Sequence, residues 1–264
     1  MKTGAQLYTV RLFTQTVPDF RETMRRVAEI GYETVQMSAT GSEITPQIAR
    51  EIADEMGLKI VLTHSDINRI RKDTEQLIRD HEVMGCKYIG IGSMPEKYRN
   101  PDWIRRFAVD FKEPARMIKE AGMRLMYHNH AFEFEKTGGT YLMDYLLDAF
   151  APDELGITLD TYWVQTAGGD VCQWIERLAD RIPCVHLKDR GIVNGQEVMA
   201  PVMEGNMNFP AILEALKKTD CEYALVEQDT CLENPFVCLE KSWRRLLTCG
   251  NRDVNGQRRL FRRT

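Results

Sequence analysis

The sequence predicts an α/β protein, a single-domain (β/α)8 TIM barrel, and three observations carry that prediction. Strand-like and helix-like stretches alternate along the chain, and eight such repeats fit a closed parallel barrel better than an open doubly wound sheet. The chain has 264 residues, close to the roughly 250 of a typical barrel of this class. No G-x-G-x-x-G follows the first strand, so a dinucleotide-binding fold has no support. The barrel is expected over residues 1–247, with residues 248–264 forming a polar, arginine-rich tail without periodicity.

The first strand is read over Thr3 to Tyr8. Pro18-Asp19 then opens an amphipathic helix with Phe20, Met24, Val27 and Ala28 on one face, stopped by Gly31. Glu33 to Met37 is the second strand, and the helix around Ile48, Ile52 and Met56 ends at Gly57. Lys59 to His64 is the third, followed by a polar helix ending at Gly85. Lys87 to Ser93 is the fourth. Asn100-Pro101 then reads as a cap and a first-turn proline, starting a helix that runs towards Gly122 through a kink at Pro114. Arg124 to His130 is the fifth strand, with a short helix from Tyr141 to Phe150 after the Gly138-Gly139 loop. Leu155 to Asp160 is the sixth, followed by a helix bearing Trp174, Ile175 and Leu178. Ile182 to Lys188 is the seventh strand, and Asp189 to Asn208 is read as a long loop. A helix with Ile212, Leu213 and Leu216 precedes the eighth strand, Tyr223 to Asp229, and Asn234-Pro235 starts a last helix through Leu247.

Composition excludes several classes. Hydrophobic content of 43%, charged content of 28% and a net charge of -4 describe an ordinary globular chain with no nucleic-acid footprint. No apolar run approaches a membrane span, and the first residues lack a signal-peptide core. The seven cysteines lack metal-type C-x-x-C spacing and read as small buried hydrophobes in a reducing compartment, so a cytoplasmic location is expected. Barrels of this kind often pair, so a homo-oligomer is compatible with the sequence, but no interface signal names one.

Barrel enzymes carry their chemistry at the C-terminal ends of the strands. Side chains alternate faces along a strand, so the apolar set that packs against helices identifies the inward set. On the seventh strand Val185 and Leu187 face out, and His186 and Lys188 face in. On the fifth, Leu125 and Tyr127 face out, leaving His128 and His130. Asp160 follows on the sixth strand, and Glu227 and Asp229 on the eighth. His64 comes from the third, and Gln6 and Tyr8 from the first. Four of the five histidines thus fall inward at strand ends.

His128, Asp160, His186 and Glu227 are one inward residue from each of four neighbouring strands. Two imidazoles and two carboxylates suit a divalent Mn, Zn, Co or Fe ion better than Ca²⁺, which takes oxygen ligands. A hydrogen-bonded polar network is the alternative. Lys188 and His130 stand two residues beyond a ligand position, towards the loops, where either could act as an acid or base or bind a substrate oxygen. With Glu227 they form the expected catalytic set. Gln6, His64, Trp163 (stacking on a sugar ring) and Glu204, before the helix carrying Ile212, are the expected substrate contacts. Glu133 and Glu135 read as solvated loop residues.

With these residues in view, the chain resembles the sugar phosphate isomerase/epimerase-like family of the xylose isomerase-like barrel superfamily. The matching segments are Gly4-Ala-Gln-Leu-Tyr-Thr-Val-Arg11, Tyr127-His-Asn-His-Ala-Phe-Glu-Phe134 and Leu159-Asp-Thr-Tyr-Trp-Val164. They continue with Ala167-Gly-Gly-Asp170, His186-Leu-Lys-Asp189, Glu204-Gly-Asn206 and Val226-Glu-Gln-Asp229. The resemblance implies a divalent metal at the strand ends and proton transfer next to a sugar or cyclitol carbonyl. It also carries a departure. Many relatives pair a glutamate at the end of strand five with the strand-eight glutamate as two acid–base groups, and here the strand-five position is His128.

The leading expectation is a metal-dependent isomerase or epimerase acting on a sugar, keto-sugar or cyclitol through an enediolate. A lyase or dehydratase using the same enediolate comes second, because elimination needs one base and one acid rather than two matched bases. The partner is a small carbohydrate. Metal-dependent phosphodiester cleavage would need more ligands and a basic groove, and a non-catalytic sugar-binding barrel is the remaining class.

Overall fold

The computed structural model describes residues 1–250. Eight parallel strands close into a barrel: β1 (Lys2–Gln6), β2 (Thr34–Met37), β3 (Lys59–Ser65), β4 (Tyr88–Ile91), β5 (Arg124–His128), β6 (Leu155–Asp160), β7 (Cys184–Leu187) and β8 (Tyr223–Val226). Each pairs with its sequence neighbours, and β1 closes the ring against β8 through Lys2 opposite Tyr223 to Ala5 opposite Val226. The surrounding helices are α1 (Val17–Ile30), α2 (Pro46–Glu55), α3 (Ile67–Lys72), α4 (Thr74–Met84) and α5 (Pro101–Glu120). They continue with α6 (Leu142–Ala149), α7 (Thr161–Thr166), α8 (Val171–Arg177), α9 (Phe209–Leu216) and α10 (Pro235–Gly250). No described helix is long and apolar enough to cross a membrane.

Local chemistry sets the helix starts. Thr16, Thr45, Asn100 and Asn208 each accept a backbone N–H of the first turn, and a proline follows within two residues in every case. Gly31 and Gly85 end α1 and α4 in the left-handed conformation that the turn demands. Pro114 sits inside α5 without ending it.

Two layers fill the barrel. Leu125, Tyr127, Ile157, Leu159, Val185, Leu187, Ala224 and Val226 all face outward into the core beneath the helices, as strand alternation requires. Inside, Val61, Leu62, Tyr88, Met126, Cys184 and Leu225 form a separate apolar plug. A register shift makes that plug possible on β3. Val35 pairs with Ile60 but Gln36 pairs with Leu62, so Val61 is an extra residue. Above the plug, towards the C-terminal ends, the inward positions turn polar.

The structure corrects several expected boundaries. β1 ends at Gln6, and Leu7–Phe13 winds into a 3-10 helix because the Gln6 side chain accepts the Tyr8 N–H; Tyr8 therefore leaves the strand. The polar helix after β3 is two helices, α3 and α4, meeting at Asp73, and the helix after β6 is likewise α7 and α8. The expected loop after β7 contains an antiparallel hairpin, Asp189–Val193 with Gln196–Ala200. Its turn is Asn194-Gly195, both at positive φ, the geometry that matches the twist of paired strands. Finally, α10 continues to Gly250, past the expected limit at 247, and the rest of the arginine-rich tail lies outside the described residues.

Candidate metal centre and active site

His128, Asp160, His186 and Glu227 converge at the top of the barrel, each offering one ligand atom, with all four atoms within 4.8 Å of one another. All four residues are buried. His128 Nε2 lies 3.2 Å from Asp160 Oδ2. His186 Nδ1 lies 3.0 Å from Glu227 Oε2 and 3.7 Å from Asp160 Oδ2.

On Asp160, His128 and His186 the atoms that face away from this point are occupied, which fixes what the facing atoms can do. Asp160 Oδ1 accepts the N–H groups of Tyr162 and Trp163 and so caps α7, while the Asp160 N–H donates to Asn129 Oδ1 at 3.0 Å. Only Oδ2 is left for the centre. His128 Nδ1 sits 2.9 Å from the Gly92 carbonyl oxygen, and His186 Nε2 sits 2.7 Å from Gln36 Oε1. A carbonyl or amide oxygen can only accept, so each of these nitrogens carries the proton and the opposite nitrogen presents towards the centre. His186 Nδ1 makes no well-directed hydrogen bond of its own. Such an orphan in a buried polar cluster calls for a partner.

Lys188 is 1% exposed, and its Nζ lies 2.7 Å from Asp229 Oδ2, 3.3 Å from Glu227 Oε2 and 3.6 Å from Asp160 Oδ2. Burial alone would neutralise it, but the carboxylates Glu227, Asp160 and Asp229 outweigh burial and hold it protonated. In return Asp160 and Glu227 are kept ionised: burial opposes their charge, and Lys188 with the two imidazoles overcomes it. Asp229 is pushed up by burial and by Glu227. Burial also opposes a charge on His186, yet Glu227 and Asp160 push it up to about 9. One ammonium and one imidazolium do not balance three carboxylates, so the centre is short of positive charge. A divalent cation would replace the imidazole proton and supply that charge. The donor set, the two outward-anchored imidazoles and the orphaned Nδ1 fit such an ion.

Other expected residues surround the centre. His130 lies with its ring 4.8 Å from His128 and 5.2 Å from Trp163, and its Nδ1 is buried without a partner. Burial and then the neighbouring His128 lower its pKa to about 3, so it is a neutral imidazole. The Trp163 ring lies 5.1 Å beneath Lys188 Nζ, and its indole N–H has no partner. His64 packs 5.2 Å from His128 and 5.6 Å from His186, and Ser38 Oγ is 3.3 Å from its Nδ1. Burial and the two neighbouring histidines keep it neutral. Gln6 is fully buried, with Nε2 unpartnered. β4 has no room for a side chain at Gly90, where a Cβ would lie 2.3 Å from the Thr63 carbonyl oxygen; just beyond the strand, a Cβ at Gly92 would crowd His64 Nδ1 at 3.0 Å.

Two expectations are revised. Glu204 is exposed and pairs with Arg245 across 3.1 Å. The loop that carries it is organised instead by Asp189, whose carboxylate accepts N–H groups from Arg190, Met203, Gly205 and Met207. Glu133, read as solvated, is 1% exposed. Its carboxyl accepts the Tyr127 hydroxyl at 2.5 Å and the His130 N–H at 2.8 Å, and burial pushes its pKa up to about 7. Gln36 and Asn129 were missed altogether. The signal for Gln36 was available: an amide inside a short buried parallel strand, where both faces should be apolar.

Comparison with known proteins places this site in a family. The family model of the xylose isomerase-like TIM barrel matches residues 24–235. An inosose dehydratase of Geobacillus kaustophilus is 28% identical over 190 residues, covering 64% of this chain and 61% of that protein. One of Clostridium perfringens is 24% identical over 205 residues, covering 71% and 64%. The alignments thus reach less than two thirds of those relatives' own length. Among solved structures, a sugar phosphate isomerase/epimerase of Parabacteroides distasonis superposes with a TM-score of 0.78 at 23% identity, covering 93% of both chains. An L-ribulose 3-epimerase superposes with a TM-score of 0.71 at 16% identity, covering 94% of both. At these identities the superpositions speak for the fold. Barrel, buried His–Asp–His–Glu cluster and matched segment agree, and the chain belongs to the xylose isomerase-like TIM barrel family.

Proposed function

We propose that this chain is a divalent-metal-dependent lyase that dehydrates a keto-sugar or keto-cyclitol by removing a proton next to the carbonyl and expelling a β-oxygen. One observation carries this reading: the centre is flanked by an ammonium and a neutral imidazole, Lys188 and His130, rather than by two carboxylates on opposite faces. His128, Asp160, His186 and Glu227 would hold the ion, which supplies Lewis-acid polarisation of the substrate carbonyl.

The chain's own residues do the rest. His130 Nδ1, buried without a partner, would take the C–H proton, with the Glu227 carboxylate as the other candidate base. The electron pair left behind forms an enediolate, and its return breaks the β-carbon–oxygen bond. Lys188, kept protonated by its three carboxylates, gives a proton to the departing oxygen, which leaves as water. Trp163 offers an apolar face and an unpartnered N–H for the ring, and Gln6 and His64 offer buried nitrogens for its hydroxyls. The names of the curated relatives, inosose dehydratases, support an eliminating reaction. Isomerisation or epimerisation is the second reading. It is favoured by Glu227, which stands at the end of β8 as ligand and as a carboxylate able to exchange a proton.

The test is incubation of the metal-loaded protein with keto-cyclitols and keto-sugars in D₂O, following C–H exchange by NMR and enone formation by absorbance. Water loss with exchange is expected. The Lys188→Met variant should keep exchange and lose about 100-fold or more in elimination. Exchange with a new epimer or isomer and no water loss would replace the leading reading by the second. No exchange with any ketone that binds would end both.

A further inference from the structure

We infer that Gln36, on a strand that supplies no ligand, is a positioning residue that sets which nitrogen of His186 can bind the ion. This rests on the metal-centre reading above. Gln36 and His186 are 150 positions apart in sequence, yet Gln36 Oε1 and His186 Nε2 are 2.7 Å apart across the barrel interior, both side chains fully buried. The amide oxygen accepts the Nε2 proton, so the one nitrogen able to coordinate is Nδ1, the atom that faces Glu227 and Asp160. The opposite tautomer would place a proton on Nδ1 and remove a ligand.

The local fold supports that role. β2 reads Thr34-Val-Gln-Met37, all buried; Gln36 faces inward with Thr34, while Val35 and Met37 enter the outer core. Opposite it, the extra residue Val61 shifts the β3 register at Gln36 itself. Irregularities of this kind re-aim side chains. A buried amide is costly unless it is paired, and Gln36 pairs through its oxygen alone. Its Nε2 has no protein partner, so the same side chain that orients the ligand has an N–H left to give to a substrate oxygen.

The experiment uses the full chain, stripped of metal and titrated with Zn²⁺ alone by calorimetry, beside Gln36→Leu and Gln36→Glu. Gln36→Glu keeps an acceptor at the same place and Gln36→Leu does not. Gln36→Leu should weaken Zn²⁺ binding about 10- to 100-fold, the usual effect of losing a ligand's outer partner. Gln36→Glu should stay within about threefold of wild type. In the Zn²⁺-loaded wild type, ¹⁵N NMR of the imidazoles should show His186 carrying its proton on Nε2. Equal losses in both variants would reduce Gln36 to a packing role and overturn the inference. Unchanged Zn²⁺ affinity in Gln36→Leu would overturn it while leaving the centre intact. Failure of the wild type to bind any Zn²⁺ would remove the metal-centre reading and this inference together.

Discussion

The two halves of the barrel interior are built from opposite materials. Strands β5 to β8 end in His128, Asp160, His186 and Glu227, with Lys188, Asp229 and His130 just beyond, so nearly all the charge of the site stands on that side. Strands β1 to β4 end in Gln6, Gln36, His64 and the bare backbone of Gly90, all neutral. The charged half carries a donor set that fits an ion but does not orient all of its own side chains. One imidazole borrows its outer partner from β2 and the other from the Gly92 carbonyl beside β4. In this barrel the neutral half anchors both imidazoles of the charged half.

The largest way to break the contrast is to remove a charged ligand. Asp160→Ala or Glu227→Ala should abolish stoichiometric metal by elemental analysis. Turnover should fall by more than the roughly 100-fold that outer-partner changes cost. Next comes the counter-cation. Lys188→Met leaves Asp160, Glu227 and Asp229 without their ammonium, and breaking a buried pair on one side costs about 3 to 5 kcal/mol. Urea unfolding of the metal-free protein should show that loss, and added Zn²⁺ should shrink it.

Glu133 sharpens the comparison within the charged half. It is as buried as Asp160, but Lys188 holds Asp160 ionised whereas Glu133, paired with a hydroxyl and an amide, is pushed up to about 7. A carboxyl raised in the folded state stabilises fully below its ordinary value of 4.5 and loses that contribution as pH climbs to about 7. The stability of Glu133→Gln relative to wild type should therefore improve by about 3 kcal/mol between about pH 4 and pH 8, measured by denaturant melts at each pH. The smallest effect belongs to Glu204→Ala, which removes an exposed ion pair. It should change stability by no more than about 1 kcal/mol and leave metal binding within about twofold.

What the sequence revealed follows the same division. The charged half was legible because its residues violate burial rules: His186 and Lys188 alternate with Val185 and Leu187, and Asp160 and Glu227 end apolar runs. The barrel itself was legible from strand–helix alternation and from Gly31, Gly57, Gly85 and Gly122 punctuating the helices. The neutral half was harder to read, because Gln36 binds nothing by itself and gains meaning from a residue 150 positions away. Glu133 looked like a loop carboxylate because no local pattern shows that Tyr127 and His130 close over it. The hairpin after β7 carried a readable sign in Asn194-Gly195, but its strands lack a clean apolar alternation. The Glu204–Arg245 pair was not legible, because a loop's side-chain directions depend on Asp189 gathering its backbone.

The most direct test of the four-residue centre is calorimetric titration of metal-stripped protein with Zn²⁺ and Mn²⁺, beside Asp160→Ala. One ion bound per chain, with uptake lost in Asp160→Ala, is the predicted result. No binding by the wild type, or equal binding by the variant, would contradict the claim that His128, Asp160, His186 and Glu227 are built to hold a divalent cation.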